Sequence, residues 1–394
     1  MRTRDRRIVG LIVLLCLISG TANTLCASND DRGLLAGSTS PDAVHETQMR
    51  ALRQWWYSGA RELPEGIPKD LPQWVATHPK DARAAFYLSV AYSSPLPGFK
   101  MDKAAAKQLA RTASDLGQIP ATSRLGIFLA VDPSPDKHQQ GLRLLEQSME
   151  LHDSDAYVYM GFLELQGKVG DGTPQLAAAD RHLHAALALG NVKAYAFLAL
   201  RYQLGNDSSK AIETLRAGVA AGDRSSMTVL ANFLRTGVLV EKKDIRQAFQ
   251  LMQRAASFAD PQAEGLLADM YASGEGTGPN AEKAFFLYQS GAEAGDVHSK
   301  WKLGQAYLTG SGTQRDIAAA LRIDRELADA GDAEACYVMG AFYLEGLVVD
   351  RDLAKAHDMF ARAAKAGSAS GALYLQLMAL RKAAPSTAAT KPEK

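Results

Sequence analysis

Cysteine is nearly missing from this chain, at three in 394 residues. Cys16 falls in an apolar N-terminal run and Cys26 just behind it, which leaves Cys336 alone in the body of the protein. A disulfide framework is therefore excluded, and stability has to come from packed apolar faces. A dominant charge is missing too. The whole chain is formally +1, and without the four arginines and one aspartate of residues 1–27 the rest is formally −2. A near-neutral, slightly acidic body argues against nucleic acid as the main partner, which requires a basic face. Nothing amphipathic and lysine-rich suggests a membrane surface either. Long apolar runs are absent: Ile8–Ile18 is eleven residues, where a bilayer core of about 30 Å takes roughly 20 in a helix. No stretch alternates β-branched with polar residues, so strands are not expected.

A periodic row of small residues is present instead. Gly117, His152, Gly190, Gly222, Ala259, Gly295, Gly331 and Gly367 are separated by 35, 38, 32, 37, 36, 36 and 36 positions. Nine residues after seven of them comes a second small residue: Gly126, Gly161, Ala199, Ala231, Ala268, Gly304 and Gly340. Eleven residues before all eight comes a third: Ala106, Gly141, Ala179, Ala211, Ala248, Ala284, Ala320 and Ala356. Self-similarity at this period marks a solenoid, one supersecondary unit stacked on copies of itself.

The unit is a helix pair. In Asp332–Gly367, Ala335, Met339, Gly340 and Tyr343 keep helical spacing until Gly346. Asp350 or Asp352 then offers an N-cap ahead of Ala356, Met359, Phe360, Ala363 and Ala364, and Gly367 ends the second helix. All length variation lies between the first and second helix of one unit. The run from a second helix through the turn into the next first helix never varies. Close backbone packing demands that constancy, since one inserted residue rotates the apolar stripe out of the core. The intra-unit loops face solvent and are free to drift.

These residues resemble the Sel-one-like repeat, a relative of the tetratricopeptide repeats. The resemblance is carried by Lys302–Gly310, with Leu303-Gly304 and Tyr307, and by Lys355–Gly367, with Lys355-Ala356 and Ala363-Ala364. It covers roughly residues 81–380, strongly from 222 onward and weakly before 160. Glu164 and Asp324 stand where the pattern has aromatics, and Gln376 replaces a small residue in the last helix, as a terminal unit requires. The resemblance implies an all-α fold: an α-solenoid, a right-handed superhelix of about eight helix-turn-helix repeats. It also implies a protein that scaffolds or inhibits other proteins, in bacterial envelopes or the endoplasmic reticulum lumen.

The N-terminus indicates a compartment. Arg2, Arg4, Arg6 and Arg7, the apolar run Ile8–Ile18 and small residues around Gly20–Ala27 form the layout of a secretory signal peptide. Residues 1–27 are read as that signal, cleaved after Ala22 or Ala27; a retained anchor that extends through Leu25 is the alternative. Lipid attachment at Cys26 and twin-arginine export through Arg6-Arg7 fit the flanking residues less well. Export across the inner membrane to the periplasm is expected. Residues 28–80 read as an N-terminal helical cap and linker, with Trp55, Trp56 and Trp74 packing over the open end of the first unit. Residues 381–394, rich in Ala, Pro, Thr and Lys, read as a disordered tail.

Catalytic constellations do not form in the sequence. Gly274–Gly278 and Gly310–Thr313 are glycine-rich, but neither follows a strand nor closes with Gly-Lys-Ser/Thr, so both read as inter-helix turns. His182 and His184 are two apart and point to different helix faces, where a helical zinc pair needs three or four. His138 and His152 are isolated, and Cys336 beside Ala335 reads as a buried small hydrophobe. No enzyme activity, cofactor or metal is expected.

The resemblance places the first helix of each unit on the concave face, with exposed positions at −6, −3, +1, +4 and +5 from its small residue. These are His298, Trp301, Gln305, Leu308 and Thr309, and then Glu334, Tyr337, Ala341, Leu344 and Glu345. Upstream they are Gln262, Asp269 and Ser273; Ser225, Thr228, Asn232, Arg235 and Thr236; and Lys193 and Gln203. Trp301 and Tyr337 are the aromatic points of this face, and serve either a partner or the packing between first helices. The expected function is a monomeric periplasmic scaffold that holds a protein or peptide. The alternative is an immunity-type inhibitor of a toxic envelope enzyme, using the loop edges Gln166–Pro174 and Gly274–Asn280.

Overall fold

The computed structural model describes residues 71–93, 102–240, 242–258, 260–346 and 349–383. Among these there are eighteen helices and no strand. They are α1 (Leu71–Thr77), α2 (Ala82–Ser93), α3 (Lys103–Asp115), α4 (Ile119–Ala130), α5 (Pro135–Glu150) and α6 (Ser154–Leu165). Next come α7 (Leu176–Ala188), α8 (Ala194–Leu204), α9 (Ser208–Ala220), α10 (Arg224–Thr236), α11 (Ile245–Ala256) and α12 (Pro261–Ser273). The last six are α13 (Ala281–Glu293), α14 (Val297–Thr309), α15 (Ile317–Asp329), α16 (Ala333–Glu345), α17 (Leu353–Lys365) and α18 (Ala369–Ala383). In chain order α2–α17 alternate as first and second helices of eight repeats. The helices group into two compact units, one holding α1–α12 and the other α13–α18.

The row of small residues is a row of left-handed turns. Gly117, Gly190, Gly222, Gly295, Gly331 and Gly367 have φ between 82° and 99°, and His152 has φ 57°; Ala259 lies outside the described residues. Six of these seven turns close the preceding helix with the paired bonds of a Schellman motif, and Gly295 keeps the outer one, Asp296 N–H to Gly291 O. At one of them Gly331 N–H donates to Ala328 O at 3.0 Å and Asp332 N–H to Leu327 O at 2.9 Å. Where the next residue is aspartate, its side chain then caps the following helix: Asp332 Oδ1 accepts from Ala335 N–H at 2.8 Å, and Asp296 Oδ2 from Ser299 N–H at 2.7 Å. One residue ends a helix and its neighbour starts the next, which leaves no slack for an insertion.

The other two rows meet inside each pair. A β-carbon built on Gly126 would stand 2.9 Å from Leu145 Cγ, on Gly161 2.8 Å from Leu183 Cγ, and on Gly340 2.8 Å from Phe360 Cδ1. Gly141 is tighter still, with Ala130 N at 2.3 Å from the same construction. Small residues there let a buried large side chain of the second helix fill the space against the first. The glycine-rich loops are inter-helix turns in which Gly274 and Gly310 end α12 and α14 in the left-handed region.

Leu71 is fully buried among Ala84, Phe86, Tyr87 and Leu88, and Trp74 packs beside them, donating Nε1–H to Asp81 at 3.1 Å. Trp55, Trp56, the signal segment and residues 28–70 lie outside the described residues. At the other end α18 runs to Ala383, three residues into the stretch read as a disordered tail; residues 384–394 lie outside the description.

Candidate protein-interaction surface

Helices α14, α16 and α18 carry corresponding faces in the second unit. On α14, His298, Gln305 and Thr309 are exposed, while Trp301 and Leu308 are half-buried. On α16, Glu334 and Glu345 are exposed, and Tyr337, Ala341 and Leu344 are half-buried. Trp301 and Tyr337 border a core of Leu327, Ala328, Ala335, Cys336, Met339 and Ala363, which ties α14 to α16. Tyr337 lies 5.8 Å from the Phe360 ring and 5.6 Å from Tyr374, so it also ties α16 to α18. Each aromatic therefore packs between helices with one edge while keeping another edge open. The same register on α18 supplies Leu373 and Leu377, at 55 % and 45 % exposure. Sequence reasoning missed these two leucines, although their places at −3 and +1 from Gln376 would have given them.

Two arginines close the far end of this face. Arg315 Nε–H donates to Leu308 O at 3.0 Å and Arg351 Nε–H to Leu344 O at 3.1 Å, in equivalent positions of successive repeats. Both satisfy last-turn carbonyls of a first helix and complement its negative end.

In the first unit the projected positions behave differently. Asn232, Arg235, Asp269 and Gln203 are half-buried, and Arg235 reaches Glu275 at 3.4 Å. Lys193 and Thr228 correct the projection: both are buried, at 4 % and 5 % exposure. Lys193 Nζ donates to Asp155 Oδ1 at 3.1 Å, and Asn191 Nδ2 donates to the same oxygen at 2.9 Å. Thr228 turns its hydroxyl back to Arg224 O at 3.2 Å. Neither residue is available to a partner.

Lys193 belongs to a chain of buried polar groups that sequence reasoning did not find. Arg124 on α4 is buried and donates to Ser93 Oγ on α2. Asp155 on α6 receives Lys193, and Arg224 on α10 donates to Phe258 O at 3.1 Å. Burial lowers the pKa of Arg124, Lys193 and Arg224. Burial pushes Asp223 up to about 6, and Asp153 up to about 6 with the Asp155 charge adding to the rise. Elsewhere Glu164, at a position read as an aromatic's, is buried and meets His182 Nδ1 at 2.9 Å. His184 Nδ1 instead lies 2.8 Å from Asp180 O, so the two histidines do serve different faces. Cys336 is fully buried. No three His, Cys, Asp or Glu side chains among the described residues converge to hold a metal. No described helix is long and apolar enough to cross a membrane.

The Sel1 repeat model matches residues 82–118, 225–257, 261–296, 297–332 and 333–368. The chain is a Sel1-repeat protein. Three pairs, α4–α9, fall between the first and second matches, and the buried polar chain centres there. No curated protein matches the sequence. Among solved structures it is similar to a Sel1 repeat protein from Oxalobacter formigenes, at 26 % identity over 70 % of this chain and 80 % of that one, with TM-score 0.49. A protective antigen present in uropathogenic Escherichia coli strains, displaying an SLR fold, matches at 21 % identity over 79 % and 67 %, with TM-score 0.48. Yeast Tom70 matches at 13 % identity over 85 % of this chain and 70 % of that one, with TM-score 0.54, and that likeness shows the helical-repeat fold. Sel1 repeats generally serve as scaffolds for protein–protein interaction and are typically non-catalytic.

Proposed function

We propose that this Sel1-repeat protein is a non-enzymatic, monomeric scaffold of the bacterial periplasm. It binds another protein or a peptide through the first-helix faces of its second unit. The observation that carries the proposal is the strip formed by Trp301, Leu308, Tyr337, Leu344, Leu373 and Leu377, flanked by exposed Gln305, Thr309, Glu334 and Glu345. Aromatic and aliphatic edges with a polar rim are the composition of a protein interface core. The N-terminal layout of basic, apolar and small residues supports export. The inhibitor reading uses the exposed loop 166–174 in the first unit, where Gly167, Gly170 and Gly172 are left-handed.

The test is capture from a periplasmic extract of the native cell, with the mature chain as bait and mass spectrometry as readout. The double variant Gln305→Arg, Leu373→Arg changes two exposed positions and leaves helical circular dichroism and melting unchanged. It is expected to lose at least tenfold of the specifically captured protein. Equal capture by both baits would refute the second-unit face. Loss only on shortening the 166–174 loop would favour the inhibitor reading.

A further inference from the structure

One position of the repeat breaks its own rule inside the core. Four residues after the small residue of each second helix stand Ala110, Leu145, Leu183, Leu215, Met252, Tyr288, Asp324 and Phe360. All eight are buried, and seven are apolar or aromatic. In four repeats a glycine of the first helix lies directly opposite: Gly126 to Leu145, Gly161 to Leu183, Gly340 to Phe360, and Gly304 to Asp324. Asp324, on α15, is thus a carboxyl set where its counterparts are the side chains that hold the pair together. It is 5 % exposed, and its Oδ2 is buried without a hydrogen-bond partner. A β-carbon on Gly304 would stand 3.4 Å from Asp324 Oδ1 and 3.5 Å from Ile323 Cγ2, against 2.8–2.9 Å at the apolar pairs.

We propose that Asp324 is a proton-controlled latch: the α14–α15 pair is held closed when this carboxyl is neutral and opens locally when it is ionised. A buried unpaired carboxylate costs far more than a buried carboxylic acid. Cations of the adjoining helices are engaged by other groups. Lys300 of α14 reaches Glu326 at 3.6 Å, and Lys302 lies over the Trp301 ring at 5.3 Å. Arg362 of α17 donates to Ala328 O, to which the Cys336 thiol of α16 also donates, at 3.5 Å. Asp332, the N-cap of α16, adds a like charge. Burial, with Asp332 second, raises the Asp324 carboxyl to about 6. A carboxyl raised on folding contributes stability that is full below its unfolded value of about 4. That stability is lost as pH rises through about 6. The latch is a property of one helix pair and holds whether or not the neighbouring face binds a protein.

The experiment is amide hydrogen exchange by mass spectrometry on the full chain at pH 5.0 and 7.5, corrected for intrinsic rates. Peptides from α14 and α15 should open about tenfold more often at the higher pH, while those from α16 and α17, where Phe360 fills the position, should not change. Asp324→Leu supplies the side chain of three sister repeats, and Asp324→Asn keeps the shape without the charge. Both should remove the pH step, and because Asn stays neutral throughout, it covers a leucine that repacks. Asp153 and Asp223 titrate in the same window, which is why the readout is local rather than a melting curve. Absence of a step in the wild type, or the same step in both variants, overturns the latch.

Discussion

Lys193 was expected at the surface because its register places it six residues before a small residue of a first helix. The register predicts helix faces but is blind to a carboxylate 38 positions upstream, and Asp155 converts the position into a buried ion pair. Removing one partner strands the other charge. Lys193→Met is therefore expected to cost about 3–5 kcal/mol, the range for an uncompensated buried charge. The double change Asp155→Leu, Lys193→Met should recover most of that loss, since a well-packed apolar pair of similar volume often matches a buried ion pair. Urea denaturation of the three proteins measures both values; a double variant as unstable as the single would show that Asn191 also needs the Asp155 carboxylate.

At the level of elements, the turns between repeats were readable because their chemistry is local. A left-handed residue followed by an Asx or Ser cap needs only two letters, and six of the seven described turns spend a glycine there. His152 is the exception, at φ 57° on the exposed end of α5. A non-glycine residue in this region carries a cost of about 1 kcal/mol. His152→Gly should accordingly stabilise the α5–α6 junction by about 0.5–1 kcal/mol, the lower figure allowing for the greater freedom of glycine in the unfolded chain. A rise in thermal midpoint checks it, and a fall would mean that the imidazole makes a contact worth more than the backbone strain. The helix pairs themselves were legible for a related reason: glycine or alanine recurs where Leu145, Leu183 and Phe360 press on the first helix. The exposed leucines of α18 were not, because Gln376 stands where the register has its small residue and so hides the point from which they are counted.

At the scale of the whole molecule, the rule that separates fixed from variable segments is the strongest statement that the repeat makes. A turn with aspartate after the left-handed residue joins a Schellman closure directly to an N-cap, as at Gly222 and Asp223, where Asp223 N–H donates to Gly218 O at 2.8 Å and its Oδ2 accepts from Ser226 N–H at 2.8 Å. One alanine inserted between Gly222 and Asp223 would separate the closure from the cap and turn α10 by about 100°, carrying Met227, Leu230 and Phe233 out of the core. Two glycines inserted after Asp171 enter an exposed loop between α6 and α7, where lengthening costs only a few tenths of a kcal/mol of closure entropy. The loop variant is expected to melt within about 2 °C of the parent, on the scale that such an energy sets for a unit this size. The junction variant should lose the cooperative transition of the first unit, because each repeat is stabilised mainly by its neighbours and a break in phase isolates the pairs on either side. Differential scanning calorimetry of both insertions decides it: comparable melting would mean that repeat-to-repeat phase is not what holds the stack, and with it would go the reason for reading successive first helices as one continuous face within a unit.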